Sequence, residues 1–335
     1  MHIFTATSVL ALALTAAISP ANASSDEHAD QSKYGHLVAP KGYNDGQSTA
    51  KFSQEGIAAR LAQKHSYEEL LEQNHHALQA GHYGEAVVSG KALLQVSQKR
   101  FGYLDQHTKI ALNQLGISLQ GSGDFEAAKQ AFRRVVTVDR ITSDTQPIER
   151  ATHLNNLANL LRANGEYKEA SVLLRQVLEI DAQMGAAADP AHATHLTNMA
   201  LTLRAAGDRQ AAEEKLRQVL EIDEATLGDG HPDHGVHLNN LASLLRDKGE
   251  YEEAEKLLRQ ALLIGSETVG ISHPTYATRL NNLALLLKAK GEYDQAEPLF
   301  NEALLLLEEK LGPDHPKSQI TRKNLENMLQ AQGQN

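Results

Sequence analysis

Leu238-Asn-Asn-Leu-Ala242 recurs as Leu280-Asn-Asn-Leu-Ala284 and, towards the N-terminus, as Leu196-Thr-Asn-Met-Ala200, Leu154-Asn-Asn-Leu-Ala158 and Leu112-Asn-Gln-Leu-Gly116, each string 42 residues from the next. Arg322-Lys-Asn-Leu-Glu326 continues the series. Glycines keep the same lattice at 81, 123, 165, 207, 249, 291 and 333, and alanines at 86, 128, 170, 212, 254 and 296. Self-similarity at a fixed period of this length is the mark of a repeat architecture.

One unit shows the local structure. Leu280, Leu283, Ala284 and Leu287 follow the i, i+3, i+4, i+7 spacing of one helix face. Gly291 ends that helix, because glycine enters the left-handed conformation without strain. Glu292 then opens a second helix, where a carboxylate suits the positive end of the dipole. Tyr293, Ala296, Phe300 and Ala303 form its inner face, and Gly312-Pro-Asp-His-Pro316 closes it. Pro316, like Pro190, Pro232 and Pro274, suits the first turn of the following helix. A two-helix unit cannot bury its own apolar face, so the units must stack. The expected fold is all-α, an α-α solenoid. Six units span 67–318, starting near Tyr67, Lys109, Ala151, Ala193, Gly235 and Ala277, and a polar capping helix follows over 319–335. The first unit is degenerate: Leu71 and Glu72 replace the Asn pair and Gly90 replaces a large apolar residue.

The L-x-x-L-A/G…G-x-Y-x-x-A pattern resembles the tetratricopeptide repeat. The 42-residue period, the L-N-N-L-A string and the L-G-x-x-H-P ending resemble the kinesin-light-chain variety of it. The match is close over 151–318 and looser over 67–150. Arg209 departs from it, standing where Tyr83, Tyr167, Tyr251 and Tyr293 stand, which predicts a locally looser fourth repeat.

Ahead of the repeats, residues 1–23 carry no Asp, Glu, Lys or Arg. The short apolar run Val9–Ile18 and Ala21-Asn-Ala23 before Ser24 read as a secretory signal peptide. The run is too short for a span of about 20 residues. Its n-region lacks Lys and Arg, which leaves an uncleaved helix or an alternative start codon as competing readings. Cleavage would place the mature chain in a bacterial periplasm or outside the cell; without it the chain would be cytoplasmic. Residues 24–66 read as a flexible lead-in, with a short helix from Phe52 to Gln63.

Composition excludes more than it supplies. The chain has 335 residues, no Cys and no Trp, which removes disulfides, Cys-ligated metals and thiol catalysis. Aromatic residues are 4%, thin for stacking on nucleic acid. A net charge of −10 argues against nucleic acid as a partner. No membrane insertion is expected of the mature chain.

At 100° per residue, the Leu238, Leu241, Ala242 and Leu245 side of the first helix faces the core. The opposite side carries ladders. Asn113, Asn155, Asn239 and Asn281 form one, interrupted by Thr197. Asn156, Asn198, Asn240, Asn282 and Asn324 form the next, and Arg162, Arg204, Arg246 and Lys288 a basic row beside them. Leu201 and Leu285 alternate with Asn159 and Ser243 on the floor. The resemblance implies that this side lines a concave groove where extended peptides bind. Asn offers both donor and acceptor to a peptide backbone, and Arg takes carboxylates with paired hydrogen bonds. The same ladders serve equally well to tie neighbouring repeats together, and the Arg row to pair with acids of adjacent helices.

The chain holds 16 His. His231, His234 and His237, and His192 with His195, have spacing that invites a metal. His153, His195 and His237 nevertheless fall on the repeat lattice, which points to packing between repeats; His231, His273 and His315 belong to the His-Pro turn. No metal site, cofactor or catalytic constellation is expected: there is no phosphate loop and no nucleophile elbow. The functional expectation is a non-catalytic module that binds an extended, acidic peptide of another protein. The competing expectations are an accessory or scaffold subunit of an envelope enzyme or assembly complex and, from the His-rich loops, a stand-alone hydrolase. The sequence fixes no oligomeric state.

Overall fold

A computed structural model describes residues 53–142, 145–186 and 189–333. Residues 1–52, which include the expected signal peptide and most of the expected lead-in, lie outside the described residues. Helix α1 spans Gln54–Lys64, capped by the Ser53 hydroxyl accepting from the Gly56 amide. Six helix pairs follow: α2 (Tyr67–Gln79) with α3 (Tyr83–Arg100), α4 (Gln106–Gly121) with α5 (Phe125–Ile141), and α6 (Pro147–Ala163) with α7 (Tyr167–Gln183). The next three are α8 (Pro190–Ala205) with α9 (Arg209–Thr226), α10 (Pro232–Lys248) with α11 (Tyr251–Thr268), and α12 (Pro274–Lys290) with α13 (Tyr293–Leu311); α14 (Pro316–Gln332) completes the array. No strand occurs among the described residues. None of their helices is long and apolar enough to cross a membrane.

Each first helix packs on its own second helix, and each second helix on the first helix of the next pair. First helices also meet directly across repeats, as α6 on α8 and α10 on α12, more closely than any second helices do. The first helices therefore lie on the inner side of the stack's curvature. The core is continuous along the stack: one cluster runs from Ala58 to Met199, a second from Ala200 to Met328, and Leu203 packs against both.

The first helices of repeats two to six start three or four residues ahead of the expected unit boundaries at Lys109, Ala151, Ala193, Gly235 and Ala277. In four of these the reason is the turn. Pro147, Pro190, Pro232 and Pro274 occupy the first helical position, where their missing N–H costs nothing. The His-Pro histidine is the cap itself. The rings of His231, His273 and His315 accept from the amide two residues on, each at 3.2 Å. Gly249 and Gly291 cap α10 and α12 in the left-handed conformation.

The short helix expected from Phe52 to Gln63 is α1, and it lays Ala58 and Leu61 into the core against α3. One expectation changes: the last helix is not a uniformly polar cap. It buries Leu325 and Met328 and exposes Ile320 and Leu329.

In the second repeat, volume is exchanged between the two helices. Gly116 of α4 lies so close to the buried Phe132 ring of α5 that a Cβ there would meet it at 2.5 Å. Three later repeats place Ala and Leu at these two positions: Ala158 with Leu174, Ala200 with Leu216, Ala242 with Leu258. In the degenerate first repeat Asn74 takes the small-residue position and Gly90 makes the room. Asn74 donates to the Ala86 carbonyl at 2.7 Å and to Ser118 at 3.0 Å. Gly116→Ala is expected to cost about 1–3 kcal/mol by overpacking, and Phe132→Leu in the same chain to recover most of it. Urea unfolding of the two single variants and the double variant checks this; additive losses would be the contrary result.

Candidate functional site

The inner side is built from the first helices α4, α6, α8, α10 and α12. The 3.6-residue period carries every candidate residue to it while the Leu and Ala positions turn into the core. The Asn ladders are made of hydrogen bonds between repeats. Asn156 donates to Asn113, Asn198 to Asn155 and Asn282 to Asn239, all at 2.9 Å, and Asn324 donates to Asn281 at 3.0 Å. Each link uses one N–H of the later Asn and the oxygen of the earlier one. The other N–H of each amide is left for other partners, as is the oxygen of the later Asn except in Asn282, which accepts from Asn281 at 3.4 Å. Asn198 and Asn281 are buried; Asn113, Asn155, Asn156, Asn239, Asn240 and Asn282 are half-buried. Thr197 breaks the ladder, and its buried hydroxyl has no partner.

The basic row is not uniform. Arg204 donates through Nε to Asp247 at 2.8 Å and through Nη2 to the same carboxylate, and it reaches the Ser243 carbonyl at 3.4 Å. Arg246 donates to the other oxygen of Asp247 at 3.1 Å. One carboxylate is thus shared by two guanidinium groups, so the middle of the row keeps one net positive charge rather than two. Arg162 and Lys288 have no carboxylate within ion-pair distance among the described residues. Leu201 and Leu285 are half-buried on the same side.

Asp247 traces to the Arg209 anomaly. Gly121 of α4 lies against the ring of Tyr83, the aromatic residue that opens the preceding second helix; a Cβ there would meet it at 2.2 Å. The matching positions 205, 289 and 331 hold Ala and follow Tyr167, Tyr251 and Tyr293. Position 247 alone follows Arg209, where no ring takes up the space, and it holds Asp. Helix α9 is as long as its counterparts, so the fourth repeat is not shortened by the change.

Histidines at the repeat junctions are tied to carboxylates on the same lattice. Asp139 accepts from His153 at 2.7 Å. Asp181 accepts from His195 and His192, both at 2.8 Å. Asp223 accepts from His237 at 2.7 Å and His234 at 3.3 Å. The three Asp lie on second helices and His153, His195 and His237 on the next first helices, so each pair stitches one repeat to the following one. At the first of these junctions Asp139 also accepts from Thr145, which accepts from the buried Lys109. Burial alone would raise the Asp181 carboxyl. The hydrogen bonds from His195 and His192 outweigh it and hold the group below the ordinary carboxylate range.

A tetratricopeptide repeat family model matches 149–225, 192–264, 233–304 and 275–335, more than half of the chain, and a second such model matches 110–142. The chain belongs to the tetratricopeptide repeat family. Members of this family mediate protein–protein interaction. Solved relatives agree in fold. A Podosopora anserina protein carrying the kinesin-light-chain name, with nearly identical TPR-like repeats, is 27% identical with a TM-score of 0.53, over 60% of this chain and 94% of that one. BtubC (BKLC) from P. vanneervenii is 20% identical with a TM-score of 0.55, over 79% of this chain and 94% of that one. Apo RapI, at 12% identity and a TM-score of 0.56, shares the fold over 79% of this chain and 97% of its own. No curated protein matches this chain.

Proposed function

We propose that this tetratricopeptide chain is a non-catalytic interaction module that holds an extended segment of another protein along the inner side of its first helices. The observation that supports it is the set of spare hydrogen-bonding groups on that side. After the Asn–Asn links are made, a row of half-buried amides still offers donors and acceptors at the repeat spacing. An extended peptide presents the same alternation of N–H and C=O. Leu201 and Leu285 supply half-buried apolar floor between the amides. With the signal-like residues 1–23, the proposed place of work is outside the cytoplasm.

Site-specific photocrosslinking tests this reading. A benzophenone amino acid at position 201 or 285 is expected to capture the bound partner. The same group at the exposed Leu305 of α13 is expected to capture much less. Capture at 305 with none at 201 and 285 would move the binding surface to the outer side. A stable stoichiometric enzyme in the captured material would favour the scaffold reading.

A further inference from the structure

The outer side carries an exposed apolar patch near each end of the array, and the two patches differ in charge. In the second repeat, Tyr103 and Leu104, in the loop before α4, stand 69% and 48% exposed. With the buried Leu112 and Val138 they line a hollow of about 320 Å³ against α5, beside Arg133 and Arg134. Arg133 is taken by Glu169 of α7, at 3.0 and 2.8 Å. Arg134 has no carboxylate within ion-pair distance among the described residues. Four periods on, the positions of Tyr103, Arg134 and Thr137 are those of Ile271, in the loop before α12, and of Glu302 and Leu305 on α13. Ile271 is 60% and Leu305 66% exposed. Burial, and after it the charge of Glu302, pushes the Tyr276 phenol up, which places Glu302 beside the start of α12. Glu302 has no cation within ion-pair distance among the described residues.

The repeats between do not share this pattern. The series Arg134, Gln176, Gln218, Gln260, Glu302 runs from a cation through three amides to an anion, and Glu179 and Glu221 stand where Thr137 and Leu305 stand. The surroundings follow the same trend: residues 91–142 hold eight Lys and Arg against four acids, and residues 259–310, four periods on, hold five against seven. Apolar side chains gathered on a folded surface mark a place of contact. Opposite charge beside two such places makes each the complement of the other. Within one chain they cannot meet, because three packed repeats with a continuous core stand between them. A second copy can bring them together.

We infer that the two patches are the two halves of a head-to-tail contact between copies of this chain: Tyr103 and Leu104 of one copy lie against Ile271 and Leu305 of the next, and Arg134 faces Glu302. Because the two surfaces differ, the contact is heterologous and continues from copy to copy instead of stopping at a pair. It lies on the outer side and leaves the groove open, so it stands or falls independently of the groove reading.

Sedimentation velocity of the full mature chain tests this. With rising concentration at low salt, the mass is expected to grow past that of a dimer. Arg134→Glu alone and Glu302→Arg alone each set like charges face to face and are expected to weaken the contact about tenfold. The double variant restores an opposite pair and is expected to recover it. Tyr103→Ser, which removes the aromatic anchor, is expected to weaken it about as much as either reversal. All three side chains are exposed, so the circular dichroism spectrum is expected to stay unchanged. A benzophenone amino acid at position 305 is expected to capture a second copy, in a product of twice the chain's mass that maps to residues 103–138 and is thereby told apart from a groove partner. A monomer at every concentration overturns the inference. So does self-association that either single reversal leaves intact or that the double variant fails to recover. A crosslink from 305 that maps back to 305, the sign of a symmetric pair, or to a different protein overturns it as well.

Discussion

Asp181→Ala is expected to destabilise the array by about 2–6 kcal/mol, since it strands two imidazole donors, one buried and one half-buried, at about 1–3 kcal/mol each. Both rings face the same carboxylate oxygen between α7 and α8. The loss should also depend on pH, with a sign that the environment fixes. The Asp181 carboxyl is held below its ordinary value, so it contributes stability above the unfolded carboxyl value of about 4. That contribution disappears as the pH falls through the lowered folded value. Urea unfolding between pH 7 and pH 3 should therefore show the wild type and Asp181→Ala converging in acid. Hydrogen exchange should place the weakened protection in α7 and α8, because a solenoid transmits stability only between neighbouring repeats. A constant gap between the two proteins across this range would show that the carboxylate's charge plays no part.

The repeat itself was legible because its signals are local and multiply redundant. A Leu/Ala stripe, a left-handed Gly and a Pro in the first turn recur in nearly every unit, and each has one structural consequence. The Asn ladder was legible as a row but not as a set of bonds. Its links join residues 43 apart, one more than the period, an offset that helix geometry creates and the spacing alone does not reveal. The Asp–His stitches are half legible. His153, His195 and His237 stand out on the lattice, and so do Asp139, Asp181 and Asp223, which lie 14 residues earlier on the same period, but the spacing does not show that they pair. Asp247 is illegible for a different reason. It matters only because Arg209 has removed a ring from beside it, and that is a pairwise exchange between helices 38 residues apart. Exchanges of this kind, together with Gly116 for Phe132, are where tertiary packing overrides the repeat consensus.

A third exchange makes the strongest test of that view. At the junction of the fifth and sixth pairs, position 265 is Gly where its predecessors are Asp, and position 279 is Arg where its predecessors are His. The buried Arg279 lies over two glycines. A Cβ at Gly235 would meet its guanidinium at 2.9 Å, and one at Gly265 would meet it at 2.4 Å. With no carboxylate at hand, it donates to the Ala261 carbonyl at 2.8 Å and the Pro232 carbonyl at 3.2 Å. Arg279→His alone should cost about 2–5 kcal/mol, because it opens a void and leaves both carbonyls and a ring donor unanswered. Gly265→Asp alone drives a carboxylate into a packed guanidinium and should cost about 1–3 kcal/mol. The triple change Gly235→Ala, Gly265→Asp, Arg279→His rebuilds the Ala193, Asp223, His237 arrangement of the junction before it. It should recover most of both losses, giving a coupling of about 1–3 kcal/mol, as contacting residues do. Losses that simply add would mean that the Asp–His and Gly–Arg junctions are not alternative solutions to one packing problem. Recovery would show that a junction of this solenoid can be exchanged as a unit, its three residues specifying one another across neighbouring repeats.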